Sequence, residues 1–148
     1  MNIQACDPEN ADAQVLVGEL SAALVALTGD SGVASFSVAD ARVASSLFVV
    51  ARADNGALLG CGALRPLHGE IGEIKRMYAR PGTRGVGAAL LAHIEHEASS
   101  FRYRELWLET RRVNARAVAF YLRHGYAEIA SYGKYVGRPD AICFGKRL

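Results

Sequence analysis

The chain holds too few cysteines for a disulfide framework: Cys6, Cys61 and Cys143 are odd in number, far apart and without metal-ligand spacing. They read as reduced thiols, which points to a reducing compartment, the cytoplasm. No basic-plus-apolar leader opens the sequence, and no apolar run reads as crossing a bilayer, so no membrane partner is expected. Net charge is scarce too: +2 is too little for general nucleic-acid binding. Arg102, Arg104, Arg111, Arg112 and Arg116 do give one stretch a basic bias, as a solvated face or as the rim of an anion site. No internal repeat, low-complexity tract or linker divides the 148 residues. Hydrophobic residues at 51% with 22% charged fit one globular domain, 1–148, with a sizeable core.

Taken in order, Asn2 to Cys6 reads as a short strand, and Asp7-Pro8-Glu9-Asn10 as the entry to a helix on which Val15, Leu16, Leu20, Leu24 and Leu27 recur. Thr28 to Gly32 ends that helix, and Ser37 to Ala44 suggests a second short one capped by Ser37. Leu47 to Arg52 is a strand, Asp54-Asn55-Gly56 a hairpin turn, and Ala57 to Arg65 the returning strand. After a turn at Pro66 to Gly69, residues 70–79 add a third antiparallel strand. Glu105 to Thr110 alternates as a strand, with Leu106 and Leu108 on one face and Trp107 and Glu109 on the other. Tyr126 to Ile129 and Ala141 to Lys146 supply the last two strands. The order of elements implies a mixed α/β single domain.

Two stretches carry chemistry. Arg84-Gly85-Val86-Gly87-Ala88-Ala89 joins the strand of residues 70–79 to a helix that runs from Gly87 onward, in which Leu90, Leu91, Ile94 and Ala98 recur at helical spacing up to Ser99-Ser100. Glycines let backbone N–H groups turn outward together, a helix start adds partial positive charge, and Arg84 adds a planar donor fork. That suits a phosphate or pyrophosphate, or else the turn is merely tight. In the second stretch, Asn114 caps a helix over Ala115 to Leu122 that Gly125 stops. Asn114 and Tyr121 share nearly one face, roughly 10.5 Å apart along the axis. One extended ligand would meet both; alternatively Asn114 only caps and Tyr121 only packs.

Together these stretches resemble the GNAT superfamily of acyl-CoA-dependent N-acyltransferases. Arg84 to Ala89 fits its Q/R-x-x-G-x-G/A signature, and Asn114, Ala117, Phe120, Tyr121, Gly125 and Tyr126 fit its N-x-x-A-x-x-F-Y-x-x-x-G-F/Y motif. The likeness runs over roughly residues 47–147. Many relatives read R-G-x-G-x-G, with paired leucines three and four residues after the last glycine; here Leu90 and Leu91 stand at that distance from Gly87, so a loop two residues shorter is a second register. Both registers keep Arg84 but differ over which amides meet the pyrophosphate.

The resemblance implies a mostly antiparallel mixed sheet, splayed between its fourth and fifth strands and flanked by helices, with acetyl-CoA as cosubstrate lying in the gap. Met77 and Tyr78 would present backbone groups to the pantetheine, residues 84–89 would hold the pyrophosphate, and Asn114 would reach the pantetheine arm. Tyr121 would protonate the leaving thiolate. A lysine-like acceptor amine needs a base, because its pKa is about 10.4. Glu73 and Glu109 lie on the strands flanking the gap, Glu73 being the first choice and a paired or surface carboxylate the plain alternative for either. Transfer would be direct, without Cys61 or Cys143 as nucleophile.

No metal is expected: His93 and His96 have i, i+3 spacing but lack a third ligand and read as surface residues. The function implied is transfer of an acetyl group to a primary amine of a small molecule, peptide or protein. The other reading is a coenzyme A-binding sensor or interaction module without turnover. A dinucleotide-binding domain fits poorly, since the glycine turn does not follow the first strand of a repeated βαβ unit. The acceptor pocket is expected from residues about 10–45, the turn after Arg65 and the stretch Tyr132 to Gly137, with Tyr132 and Tyr135 either as gates or as an aromatic loop packed on the core, and Arg111-Arg112 favouring a carboxylate. A homodimer through sheet edges or the C-terminal strands is open to such a fold.

Overall fold

The computed structural model describes residues 1–148. Leu47, Phe48, Val49, Val50 and Ala51 are all buried, as a strand covered on both faces demands. This is β2 (Leu47–Arg52), which pairs antiparallel with β1 (Asn2–Ala5) on one side and β3 (Leu58–His68) on the other. The meander continues into β4 (Ile71–Ala79). After α2 (Val86–Ser100) come β5 (Glu105–Arg111), α3 (Ala115–Arg123), β6 (Ala127–Ile129) and β7 (Ala141–Arg147); α1 (Ala11–Thr28) precedes the meander. The seven strands form one sheet in the order β1-β2-β3-β4-β5-β7-β6.

The β4–β5 neighbours are the only parallel pair, and their ladder is short: Ile71 opposite Glu105, Gly72 opposite Leu106 and Glu73 opposite Trp107. Beyond those residues the two strands part. β5 stays paired along its whole length with β7, from Glu105 opposite Arg147 to Arg111 opposite Ala141. The expected splay is therefore present, and it opens at Ile74 and Leu108.

The two sheet faces differ. One packs under α2 and α3 as the main core, with Leu64, Ile74, Leu90, Leu91, Ile94, Leu106, Leu108, Tyr121 and Phe144. The other carries α1 over Phe48, Val50, Cys61 and Ala63, and the 130–140 loop over Ala141 and Cys143. On α1, Leu16 and Leu20 are buried, but Val15 and Leu27 point outward. The helix is apolar and long enough, by length and composition, to cross a membrane. Here it lies along the sheet, with Asp12 bonded to Arg52 and Glu19 to Arg80.

Three local expectations are corrected. β3 runs through Pro66 to His68 instead of turning at Pro66, because β2 pairs with it only as far as Leu64, leaving proline at an unpaired edge. Residues 37–44 hold no α-helix; one short 3-10 turn, Ala39–Ala41, lies in this stretch and another, Val33–Ser35, precedes it, although Ser37 Oγ does accept the Asp40 N–H at 3.3 Å. α2 begins at Val86, one residue before Gly87. All three cysteines are free, as expected.

Candidate active site

Gly85 stands just before α2 with φ +70°, a left-handed backbone that favours glycine. The first helical amides have no partner one turn back. Those of Val86, Gly87 and Ala88 stay free, whereas the Ala89 N–H donates to Gly85 O at 3.0 Å. Ala89 thus drops out of the expected pyrophosphate donors, because its amide already closes the first helical turn. Arg84 is exposed beside them and forms no ion pair. A Cβ on Gly87 would stand 3.3 Å from the Phe120 ring, so the two motif stretches meet at this glycine.

Across that contact lies α3. Asn114 Oδ1 accepts the Ala117 N–H at 3.2 Å, the expected cap, which leaves the side-chain NH2 to donate elsewhere. Tyr121 is buried, with its ring 5.6 Å from Tyr126 and 6.3 Å from Phe144. Burial pushes its phenol up, so it carries its proton throughout the neutral range.

On β4 the alternation breaks at Arg76, which has φ +54° in a bulge: Ala63 faces Lys75, and Cys61 already faces Tyr78. The bulge turns Lys75 and Arg76 to the same face. Arg76 donates to Ser31 O at 3.0 Å and Ser21 Oγ at 2.6 Å, anchoring the end of α1 and its loop to the strand. The Arg80 N–H donates to Leu59 O. By strand alternation the Tyr78 N–H then also faces β3, and Met77 turns its N–H to the gap. Tyr78 contributes a hydroxyl donating to Glu19 at 3.0 Å, away from the gap.

The face opposite α2 and α3 carries the charges. Glu73 is 1% exposed. One of its oxygens accepts from Arg65 Nε at 2.8 Å, the other from the Tyr132 hydroxyl at 2.5 Å, and Lys75 Nζ stands 3.5 Å away. Glu73 is thus fully engaged. Glu109 is the contrast: its Oε1 is buried without any hydrogen bond, with Arg111 Nε at 3.6 Å. Burial raises its pKa, against the lowering effect of the Lys75 and Arg111 charges. Lys75 is buried as well and is pulled down by desolvation; it donates to the Tyr135 hydroxyl at 2.6 Å.

Beside this group lies a cavity of about 300 Å³ with Ser37, Asp40, Arg65, Glu73, Tyr132 and Lys134 in its walls. It is built from the segments expected to shape the acceptor pocket. Arg111 takes no part, being held by Asp30 at 2.9 Å and Asp140 at 2.7 Å, and Arg112 bonds Pro139 O outside it. The expectation that this pair favours a carboxylate fails for that reason. Cys61 is no nucleophile: burial pushes its thiol up to about 12. Arg65, Lys75 and Asp40 went unnoticed in the sequence; Lys75-Arg76, two cations in the middle of a buried strand, was the available sign of a bulge.

A sheet parted at its centre, with free amides at a helix start on one face and a buried carboxylate oxygen lacking a hydrogen bond on the other, has the geometry of an acyl-CoA-dependent acyltransferase. The chain belongs to the acetyltransferase (GNAT) family, which it matches over residues 22–126. It is 38% identical over 104 residues to an IAA acetyltransferase of Azospirillum brasilense, an alignment covering 68% of this chain and 67% of that one. With the YsnE N-acetyltransferase of Bacillus subtilis it shares 33% over 95 residues, 62% and 63% of the two chains. Among solved structures, a Klebsiella pneumoniae protein assigned to the acyl-CoA N-acyltransferases superposes with TM-score 0.83 at 26% identity, covering 99% and 97% of the chains.

Proposed function

We propose that this protein moves an acetyl group from acetyl-CoA directly to a primary amine of a small molecule or peptide, in the cytoplasm, with Glu109 as general base and Tyr121 as general acid. The observation carrying this reading is the Oε1 of Glu109, buried without a hydrogen bond where β4 and β5 have parted. A buried polar atom without a partner costs free energy unless a ligand supplies one. An acceptor ammonium is a donor of the right kind.

The residues fit the cosubstrate. Free amides of Val86, Gly87 and Ala88, with Gly85 and Arg84, suit the pyrophosphate; the Met77 N–H faces the pantetheine gap; the Asn114 amide keeps donors for the same arm. When bound, acetyl-CoA supplies an acyl thioester, an electrophilic carbon with a thiolate leaving group. The Met77 N–H then polarises the acyl oxygen. Glu109 takes the amine proton, and its raised pKa narrows the gap to that amine. Tyr121, kept protonated by burial, gives its proton to the departing sulfur. Glu73 is assigned a holding role, since both its oxygens are taken. A coenzyme A-binding module without turnover would have no use for a buried carboxylate oxygen left without a hydrogen bond at the gap.

Thiol release from acetyl-CoA across amino acids, polyamines, aminoglycosides and peptide N-termini, with calorimetric binding of acetyl-CoA alongside, tests the reading. Amine-dependent release is expected. Binding of acetyl-CoA without release for any amine would overturn it in favour of the module.

A further inference from the structure

The cavity beside the gap has two acids, Asp40 and Glu73, and two cations, Arg65 and Lys134, in its wall, and they are not evenly paired. Arg65 satisfies both acids in its wall, with Nη1 3.1 Å from Asp40 and Nη2 2.8 Å from Glu73. Lys75 stands behind the Tyr135 hydroxyl, 3.5 Å from the same Glu73. Lys134 has no acid partner: its Nζ donates to Ser35 Oγ at 2.8 Å and lies 5.7 Å from the Tyr135 ring centroid. Desolvation, with the Lys75 and Arg65 charges close by, pulls Lys134 down from the ordinary lysine value. Arg65 is thus spent on the two acids, and Lys134 is left as the one charged group of the wall without an opposite partner, a place for an anionic group. The Glu109 oxygen that lacks a hydrogen bond lies at the gap, where the Lys75 charge acts on it.

Resting on the transferase reading above, we infer that the acceptor is an amino carboxylate, its carboxylate held in this cavity by Lys134 beside Arg65 and its amine directed to Glu109. A single carboxylate matches the one unpartnered lysine and a volume of about 300 Å³, whereas a phosphate dianion brings more charge than that lysine offsets. Tyr132 and Tyr135, with rings 5.5 Å apart, give the rest of such a molecule an aromatic wall.

The test compares amino acids with their own carboxamides, which keep the amine and lose the anion, and with phosphoethanolamine. The carboxamide amine is the less basic, so chemistry alone favours the amide. A preference for the acid of roughly tenfold or more in kcat/KM, about 1.4 kcal/mol, reports recognition. Lys134→Gln is expected to cut that preference at least tenfold. Thermal shifts by amino acid and by carboxamide, without acetyl-CoA, are read in parallel; the acid alone should raise Tm, and less so in Lys134→Gln. Equal turnover of acid and amide, a preference for phosphoethanolamine, or equal thermal shifts would overturn the inference while leaving the transferase reading intact. Binding of amino acids with no acetyl transfer to any amine would overturn that reading and uphold the cavity.

Discussion

Replacing Glu109 by Gln keeps the side-chain volume and removes one negative charge and one proton acceptor. A positioned general base contributes about 10²–10⁴ in rate, or about 3–5 kcal/mol of barrier. A fall in kcat of that size is expected, with little change in acetyl-CoA affinity because the helix-start amides lie on the opposite face. Stability moves the other way. The folded Glu109 pKa is raised by burial, so the native state binds this proton more tightly than the unfolded chain. Stability therefore falls as pH rises from the ordinary carboxylate value through the folded one, and at neutral pH ionised Glu109 is a net cost. Glu109→Gln should match or exceed the wild-type Tm at pH 7 and flatten its dependence on pH in the acid range. The acid limb of the wild-type kcat/KM profile should lie above an ordinary glutamate and disappear in the variant. Glu73→Gln is the control. It strips a 1%-exposed carboxylate from Arg65, Lys75 and Tyr132. Breaking such a buried pair costs about 3 kcal/mol or more, which lowers Tm by about 6–12 °C in a chain of this size. Stopped thiol release and differential scanning fluorimetry decide the matter. If Glu109→Gln keeps kcat within about threefold while Glu73→Gln loses it with Tm intact, the assignment of the two carboxylates is reversed.

Tyr121→Phe should lower kcat about 10²-fold and leave Tm nearly unchanged, since the chain itself offers the hydroxyl no hydrogen bond; an unchanged kcat would remove the phenol from the chemistry. Gly87→Val places a branched carbon against Phe120, 3.3 Å away at Cβ, and should weaken acetyl-CoA by roughly tenfold in calorimetry. Leu90→Ala empties a fully buried site and should cost about 2–5 kcal/mol in urea unfolding, with KM values for both substrates unmoved.

What could be read from the chain was what local spacing encodes. The glycine turn, the Asn114 cap, the alternation of Glu105 to Thr110 and the parted fourth and fifth strands all follow from patterns within a dozen residues or from the resemblance they carry. Pro66 was misread as a turn because the edge that tolerates it is defined by where another strand stops. Glu73 and Glu109 could not be told apart in sequence; the difference lies in hydrogen-bond partners remote along the chain, Arg65 and Tyr132 for one and none for Oε1 of the other. The Arg76 bulge likewise needs Ser21 and Ser31 to exist in three dimensions.

The free amides of α2 and the Tyr121 ring belong to one side of the sheet, while the Glu109 carboxylate and the Lys134 cavity belong to the other. The opening between β4 and β5 is where the two sides meet. On the proposed reading each reactant has its own doorway, and neither has to pass through the other's. Initial-rate patterns should accordingly be those of a ternary complex assembled in either order, with the released coenzyme and the acylated product departing independently.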